Sequence, residues 1–289
     1  LSLSLSLLEG RPHRSRSGIP AAAMQSILGP FRTMCCTENN ATEAQTYNDD
    51  STRPQQQLYA EEAVPWSGVK GEEDLQERPE QEVEGGAKYK GQWLAEKRHG
   101  HGVLMRPDGQ RYEGAFRNSQ AHGHGVFSAS NGNTYEGQWD CDRAHGFGKY
   151  VHVDGSTYEG EWQQDEKSGS GVETWADGAR YSGEFLHGSK HGVGVYKSGT
   201  GVQFEGQFRN DKMDGEGCYK FADGRVYNGQ WQDGHMTGHG KMKWPNGSEY
   251  EGSYHNDMKN GEGNFYWPDG RVYKGQWAQG KQDGHGITI

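Results

Sequence analysis

Apolar and polar residues alternate along short stretches of this chain, and the alternation recurs with a constant period. In Tyr158-Glu159-Gly160-Glu161-Trp162, the aromatic residues and the glycine occupy every second position. The pattern begins every 23 residues from Tyr89 to Tyr273, nine times without insertion or deletion. Alternation of this kind is typical of a β-strand, so the two aromatic residues and the glycine are predicted to share one face, with Glu159 and Glu161 on a solvated face.

Each repeat also contains a second predicted strand, which begins at a Gly-x-Gly such as Gly100 to Gly102 and carries apolar residues at the same parity. Asp-Gly or Asn-Gly then separates most copies, as at Asp108 and Asn131, and is a strong hairpin signal. A helix would have to accommodate several glycines per repeat, at about 1 kcal/mol each. The predicted fold is therefore all-β, an elongated single-layer array of antiparallel β-hairpins.

These repeats resemble the MORN repeat family, whose pattern runs Tyr-x-Gly-x-Trp, a short polar loop, His-Gly-x-Gly and a closing Asp-Gly. The resemblance covers residues 87–289 and all nine copies. It departs from the pattern at Phe204, which replaces the tyrosine, at Gly201, which follows Thr200 instead of aspartate, and at several replaced histidines. Membership of this family implies one long, twisted, single-layer sheet, and it implies the fold more specifically than the function.

The charge distribution divides the chain into three segments, although its formal net charge is −10 overall. Residues 1–36 form a basic, low-complexity N-terminal segment, for which an organelle transit peptide is an alternative interpretation. Residues 37–86 hold thirteen acidic residues and three basic residues, which predicts an acidic disordered linker before the array at 87–289. No apolar run approaches the roughly 18 residues of a transmembrane helix.

The four cysteines suggest a reducing, intracellular location. Cys35 and Cys36 follow Met34, so a chain starting there would carry two acylation sites near its N-terminus, enough for stable membrane anchoring. The alternative is two cysteines in a disordered tail. Cys141 and Cys218 lie three repeats apart, too far for a disulfide within one chain. The expected localisation is cytoplasmic, at peripheral membrane or cytoskeletal structures.

Basic residues gather in the loops that join the two strands of each repeat. Because the strands lie side by side, these loops are predicted to form a basic rim along one long edge of the sheet, where an anionic membrane lipid could bind. The alternative is that lysine simply suits an exposed turn, since acids such as Glu166 and Asp211 lie among the cations. Nucleic acid is not an expected partner. The predicted lipid-binding residues are Lys97, Arg98, Arg143, Lys167, Lys190, Lys212, Lys259 and Lys281.

Four large aromatic residues extend the apolar face in the later repeats: Trp175, Phe221, Trp244 and Trp267. Equivalent positions elsewhere hold Arg106, Ala129, His152 and Ser198, so the fold does not require an aromatic residue there. Large aromatic side chains supply much of the energy at protein interfaces. These four residues are therefore the predicted partner-binding residues.

No motif for catalysis, a cofactor or a metal site is present. His99 and His101 offer two metal ligands on one strand, but the next repeat is about 10 Å away, too far to supply a third ligand.

The first hypothesis is a non-catalytic scaffold that holds a helix or an extended segment of a partner protein on the aromatic face. The second is a peripheral membrane module that binds phospholipid. The third follows from resemblance to plant-type phosphatidylinositol phosphate kinases, which carry a similar array: the regulatory array of a truncated enzyme of that kind. The oligomeric state is not predicted.

Overall fold

A single β-sheet dominates the structure, which is a computed structural model that describes residues 75–289. Within those residues, nineteen strands are joined by short turns, and one 3-10 turn occurs at Glu84–Gly86. The predictions for residues 1–74, including acylation of Cys35 and Cys36, lie outside the described residues. The strands are β1 (Leu75–Glu82), β2 (Lys88–Leu94), β3 (Lys97–Met105), β4 (Arg111–Arg117), β5 (Gln120–Ser128), β6 (Thr134–Asp140), β7 (Arg143–Val151), β8 (Thr157–Gln163), β9 (Glu166–Thr174), β10 (Arg180–Leu186), β11 (Ser189–Lys197), β12 (Gln203–Arg209), β13 (Lys212–Lys220), β14 (Val226–Gln232), β15 (His235–Lys243), β16 (Glu249–His255), β17 (Met258–Tyr266), β18 (Val272–Ala278) and β19 (Lys281–Thr288).

The strands form an antiparallel meander in which each strand pairs with the next one along the chain. Each repeat supplies two strands, beginning with β2 and β3. The prediction of an all-β, single-layer array of hairpins is therefore confirmed. Residues 75–289 form one layer only, so the apolar residues of this part of the chain are buried against one another on a single face of the sheet.

Strand β1 corrects the predicted end of the acidic linker at residue 86. Residues 75–82 pair with β2, from Leu75 opposite Leu94 to Glu82 opposite Lys88. The guanidinium of Arg78 lies 5.0 Å from the ring centroid of Trp93 and donates a hydrogen bond to the Ala95 carbonyl at 2.8 Å. The acidic composition concealed this strand, since its few inward residues are spaced irregularly around a register shift between Arg78 and Gln81.

Two kinds of turn alternate along the sheet. The turn between repeats is the predicted Asp-Gly hairpin, in which Gly109 has a φ of 91° and donates its N–H to the Arg106 carbonyl at 3.0 Å. It is a three-residue loop closed by Arg106 and Gln110 at 2.8 Å. The shorter, two-residue turn lies inside the repeat, where Asn118 and Ser119 have φ values of 51° and 70°. Asparagine and aspartate tolerate this left-handed conformation better than most residues, which explains their frequency there.

Two aromatic residues per repeat form a continuous buried ladder, here called the aromatic spine. Their rings meet edge to face, at 5.0–5.4 Å between centroids within each repeat. The first ring of one repeat also contacts the second ring of the next repeat, as in Tyr112 and Trp139 at 5.3 Å. Such edge-to-face pairs contribute about 0.5–1.5 kcal/mol each beyond area burial. The spine consists of Tyr89, Trp93, Tyr112, Phe116, Tyr135, Trp139, Tyr158, Trp162, Tyr181, Phe185, Phe204, Phe208, Tyr227, Trp231, Tyr250, Tyr254, Tyr273 and Trp277.

Glycine is required beside the spine because the tyrosine ring lies directly over the backbone. A Cβ on Gly160 would lie 2.5 Å from the Gly171 Cα and 2.8 Å from the Tyr158 hydroxyl. That hydroxyl donates a hydrogen bond to the Glu161 carbonyl at 2.9 Å, which holds the ring down. The predicted facing is confirmed, since Tyr158 and Trp162 are buried while Glu161 is exposed.

Glu161 nevertheless has a structural role that its position on the solvated face did not suggest. Between β8 and β9, two extra residues on β9 interrupt the register after Gly160. The Glu161 carboxylate accepts a hydrogen bond from the Ser170 N–H at 2.9 Å and so closes this bulge. Gln92 accepts from the His101 N–H at 2.7 Å in the same way. A residue with a side-chain oxygen at this position therefore stabilises the interruption that Gly-x-Gly creates.

Candidate partner-binding face

The four predicted partner-binding residues lie beside the spine, where the turns between repeats begin. The backbone N–H of Trp244, for example, donates to the Ser248 carbonyl that closes such a turn. All four side chains are half-buried and pack against the buried core. We call this set, Trp175, Phe221, Trp244 and Trp267, the outer aromatic row.

The structure divides the outer aromatic row into three small clusters. Trp175 contacts Tyr196 at 6.0 Å between ring centroids, and Phe221 contacts Tyr219 at 4.4 Å. Near the C-terminus, two members come together on a shared neighbour. Trp244 and Trp267 lie 5.6 Å and 4.8 Å from Phe265. The largest aromatic patch beside the spine is therefore formed by Trp244, Phe265 and Trp267.

The predicted basic rim is not one row, and this prediction needs correction. Side chains alternate between faces along a strand, so neighbours such as Lys97 and Arg98 point to opposite sides. The outward cations Lys97, Arg143, Lys212 and Lys281 are exposed, whereas the inward cations Arg98, Lys167, Lys190 and Lys259 are half-buried on the aromatic face. Some outward cations also have polar partners: Lys212 pairs with Asp233 at 3.0 Å. Only half of the predicted lipid-binding residues thus form an exposed rim.

Two inward cations share one carboxylate that the sequence analysis did not identify. Glu173 stands where other repeats carry an apolar residue such as Leu104, and its side chain is only 14% exposed. The Lys167 ammonium lies 2.5 Å from one carboxylate oxygen, and the Lys190 ammonium lies 3.6 Å from the other. The acid at a normally apolar position is the sequence signal that could have revealed this ion triad.

Lys259 occupies the equivalent position in the eighth repeat, but its surroundings are aromatic. Its ammonium lies 4.0 Å from the ring centroid of Trp277, 4.8 Å from Phe265, 5.2 Å from Tyr250 and 5.8 Å from Trp244. Burial lowers the pKa of Lys259 from 10.5 to about 8. No salt bridge joins Lys259 to a carboxylate within residues 75–289. The attraction between the cation and the ring faces offsets part of the cost of burial.

Arg98, the first inward cation, borders a cavity of about 250 Å³ at the other end of the face. Its guanidinium donates to the Ser119 carbonyl at 2.9 Å and lies 5.9 Å from the rings of Tyr89 and Phe116. Burial lowers the pKa of Arg98, although acids nearby oppose the shift. Asp142 lines the same cavity and accepts the Ala121 N–H at 2.7 Å. Backbone groups thus supply hydrogen bonds to both Arg98 and Asp142 at this cavity.

In the part of the chain that the structure describes, no group of three His, Cys, Asp or Glu residues is arranged to hold a metal ion. Within the same residues, neither the exposed Cys141 nor the half-buried Cys218 forms a disulfide. Across residues 75–289 the structure contains no helix with the length and apolar character needed to cross a membrane.

The sequence profile of the MORN repeat matches residues 89–111, 112–134, 135–157, 158–180, 181–203, 204–224, 227–249, 250–270 and 273–289. No curated protein sequence matches the chain. Solved structures that are similar in part include the following two. One is the TCP domain of SAS-4 (dCPAP) of Drosophila melanogaster in complex with a proline-rich motif of Ana2 (dSTIL), which is 13% identical with a TM-score of 0.34 over 60% of this chain and 88% of that chain. The other is a point mutant of the TCP10 domain of Danio rerio CPAP, which is 12% identical with a TM-score of 0.39 over 69% of this chain and 94% of that chain.

Both structural likenesses are too distant to carry an argument about this chain. The repeat match is different in kind, because its nine segments follow one another from residue 89 to residue 289 and coincide with the hairpins of the sheet. The chain belongs to the MORN repeat family.

Proposed function

We propose that this protein is a non-catalytic scaffold or adaptor that binds a segment of a partner protein on its aromatic face. The observation that carries the proposal is the patch of Trp244, Phe265 and Trp267, which is half-exposed beside a spine that is already complete without it. Aromatic residues at the centre of an interface often contribute 2 kcal/mol or more to binding. A helix or an extended segment suits a long, narrow face of this kind.

The location we propose is the cytoplasm, at membrane or cytoskeletal structures. Phospholipid binding is less well supported as the primary function, because the exposed rim retains only Lys97, Arg143, Lys212 and Lys281. A regulatory array attached to a phosphatidylinositol phosphate kinase-like domain remains a proposal that the resemblance of the repeats supports.

The test compares partner capture by two double variants of the full chain. Trp244→Ser with Trp267→Ser removes the two outer rings, while Val193→Ser with Ile287→Ser removes exposed apolar side chains from the opposite face as a matched control. We expect the first variant to lose at least one partner that the wild type and the control both capture. Circular dichroism must show an intact sheet in both variants.

Undiminished capture of every partner by the folded Trp244→Ser, Trp267→Ser variant would contradict the proposal. A sedimentation assay with vesicles that contain phosphatidylserine tests the alternative, in which the protein binds phospholipid. Vesicle binding that depends on Lys97, Arg143, Lys212 and Lys281, without any partner loss in the tryptophan variant, would favour the phospholipid module.

A further inference from the structure

The aromatic face contains the same lysine position in three repeats, and two of these lysines show how the face neutralises an inward ammonium. Lys167 and Lys190 both lie over spine rings, at 4.9 Å from Tyr158 and 5.6 Å from Tyr181. Both also contact the carboxylate of Glu173, which projects from β9 between them. A partly buried cation is costly unless it is paired, and here the face itself supplies the anion.

Lys259 has the same position but no such anion. The places that correspond to Glu173 are Phe265 in its own repeat and Met242 in the repeat before it. The ammonium is therefore surrounded by rings, 4.0 Å from Trp277 at the closest, and burial lowers its pKa to about 8. The ring faces attract the cation, but they cannot accept a charge-assisted hydrogen bond as a carboxylate does.

The missing anion and the exposed rings occur at one place. Lys259 lies 5.8 Å from Trp244 and 4.8 Å from Phe265, two of the three residues in the half-exposed C-terminal patch. A ligand that covers this patch would also approach the ammonium. Glu173 provides the geometric template, since its carboxylate reaches Lys167 from a neighbouring position on the same face.

We propose that Lys259, together with Trp244, Phe265 and Trp267, forms a recognition site for an acidic side chain of a partner peptide that is flanked by apolar residues. The carboxylate of the peptide would pair with the Lys259 ammonium, as Glu173 pairs with Lys167, while the flanking apolar side chains cover the rings. This inference rests on the proposed function, because it specifies the chemistry of the partner at the same face. Pairing of this kind contributes to specificity more than to total affinity.

The experiment uses immobilised full-length protein and two pools of acetylated, amidated nonapeptides. The pools share apolar and aromatic residues around a central position that is glutamate in one pool and glutamine in the other. We expect the glutamate pool to be retained about tenfold more strongly, the effect of one charge-assisted hydrogen bond. A third pool with a free C-terminal carboxylate and central glutamine distinguishes a terminal carboxylate from a side-chain carboxylate.

Three variants identify the site. Lys259→Gln should equalise the two main pools while retaining the glutamine pool, since the rings remain. Phe265→Glu places an internal carboxylate where repeat four has Glu173, so it should also remove the preference for glutamate. Lys197→Gln changes an exposed lysine on the opposite face and should leave the preference unchanged.

The outcomes separate this inference from the proposed function. Equal retention of both pools that is lost in the Trp244→Ser, Trp267→Ser variant would support the aromatic site and overturn carboxylate recognition. A preference for glutamate that survives Lys259→Gln would also overturn it, as would stronger retention of the C-terminal carboxylate pool. Retention of neither pool would overturn both proposals at this patch, and Lys259-dependent binding only to phosphatidylserine vesicles would assign the site to lipid instead.

Discussion

The first three repeats, residues 89–157, and the last three, residues 227–289, have the same spine but different surroundings. Ring centroids of Tyr112 and Trp139 are 5.3 Å apart, and those of Tyr250 and Trp277 are 5.2 Å apart. The geometry of the spine is thus nearly the same in these two regions. Residues in the spine are constrained because each ring must fit between a glycine pair and the next ring, and few other side chains satisfy both contacts.

The positions beside the spine differ between these two regions. In the first region, Ala129 is buried and Ala121 is only 2% exposed, with its N–H capped by the Asp142 carboxylate at 2.7 Å. In the last region, the equivalents are the half-exposed Trp244 and the inward Lys259. The two regions therefore show that residues at these flanking positions can differ without a change in the fold. Binding specificity is therefore expected to lie beside the spine and to differ from one end to the other.

The largest expected effect comes from alkaline pH, which should disrupt what the two regions share. Burial raises the pKa of Tyr89 and of Tyr250 from 10.0 to about 12, and it raises the pKa of Tyr112, Tyr158, Tyr181 and Tyr227 further. Above pH 10 the unfolded chain releases protons that the folded array retains, so the stability present below pH 10 is lost as the pH rises through 12. The lowered pKa of Lys259 acts in the opposite direction between about pH 8 and pH 10.5. In that range the unfolded chain binds a proton that the folded chain has released, so this group adds stability as the pH rises.

Thermal unfolding followed by circular dichroism from pH 8 to pH 12 measures this effect. Tyrosinate absorbance should rise together with the loss of sheet signal, and a return to neutral pH should restore both. An unchanged melting temperature across this range would show that the spine hydroxyls are not buried as described. Loss in one region before the other would show that the two spines differ in stability.

The next effect is expected from Gly160→Val, which should break the array between the two regions. A Cβ at this position would lie 2.6 Å from the Ser170 carbonyl oxygen, which is too close for any side chain. We expect the free energy of unfolding to fall by about 3 kcal/mol, because overpacking here must displace the backbone of β9. Since repeat arrays are stabilised by contacts between neighbours, unfolding is also expected to separate into two transitions.

Glu159→Val is the matched control for Gly160→Val, since it introduces the same side chain one residue away on the solvated face. Its salt bridge with Lys149, at 3.4 Å, is exposed and contributes little. We expect a change within about 0.5 kcal/mol in denaturant unfolding. Melting shifts of equal size for the two variants would contradict the assignment of faces.

The smallest expected effect is a gain in stability from Phe204→Tyr, which should strengthen the joint between the regions. Phe204 lacks the hydroxyl by which Tyr227 donates to the Gln230 carbonyl at 3.0 Å. Its ring centroid lies 5.9 Å from that of Trp231, farther apart than in the other spine contacts between repeats, and the Trp231 indole N–H is buried without a hydrogen-bond partner. A new hydrogen bond to the Gln207 carbonyl should add about 1 kcal/mol. Tyr112→Phe, the reverse change in the first region, should remove about the same amount, and opposite signs must appear in denaturant unfolding.

Much of the fold could be predicted because its determinants are local and repeated. Tyr158, Gly160 and Trp162 alternate within five residues, and strand geometry alone places them on one face. Strand β1 was missed because its pattern occurs once and is interrupted by a register shift near Arg78. The sequence did not reveal that the turn inside each repeat is shorter than the turn between repeats. Asn118-Ser119 resembles a general polar loop, whereas Asp108-Gly109 has the familiar composition of a hairpin turn.

The candidate site was predicted less completely because its chemistry depends on neighbours that are distant in sequence. The prediction grouped Lys259 with Lys212 and Lys281, since all three lie near turns. The structure separates them by face, because a shift of one residue along a strand reverses the direction of the side chain. The role of Glu173 was missed for a related reason: its partners are six and seventeen residues away along the chain.

The sequence by itself determined the period, the parity and the composition of each face, because these follow from the geometry of a single strand repeated nine times. Only the tertiary structure decided which inward cations are paired. Lys190 finds the carboxylate of Glu173 in the preceding repeat, whereas Lys259 finds only rings, 4.0 Å away at Trp277. Pairing is a property of adjacent strands, since side chains on neighbouring strands can touch while their positions in the chain lie most of a repeat apart.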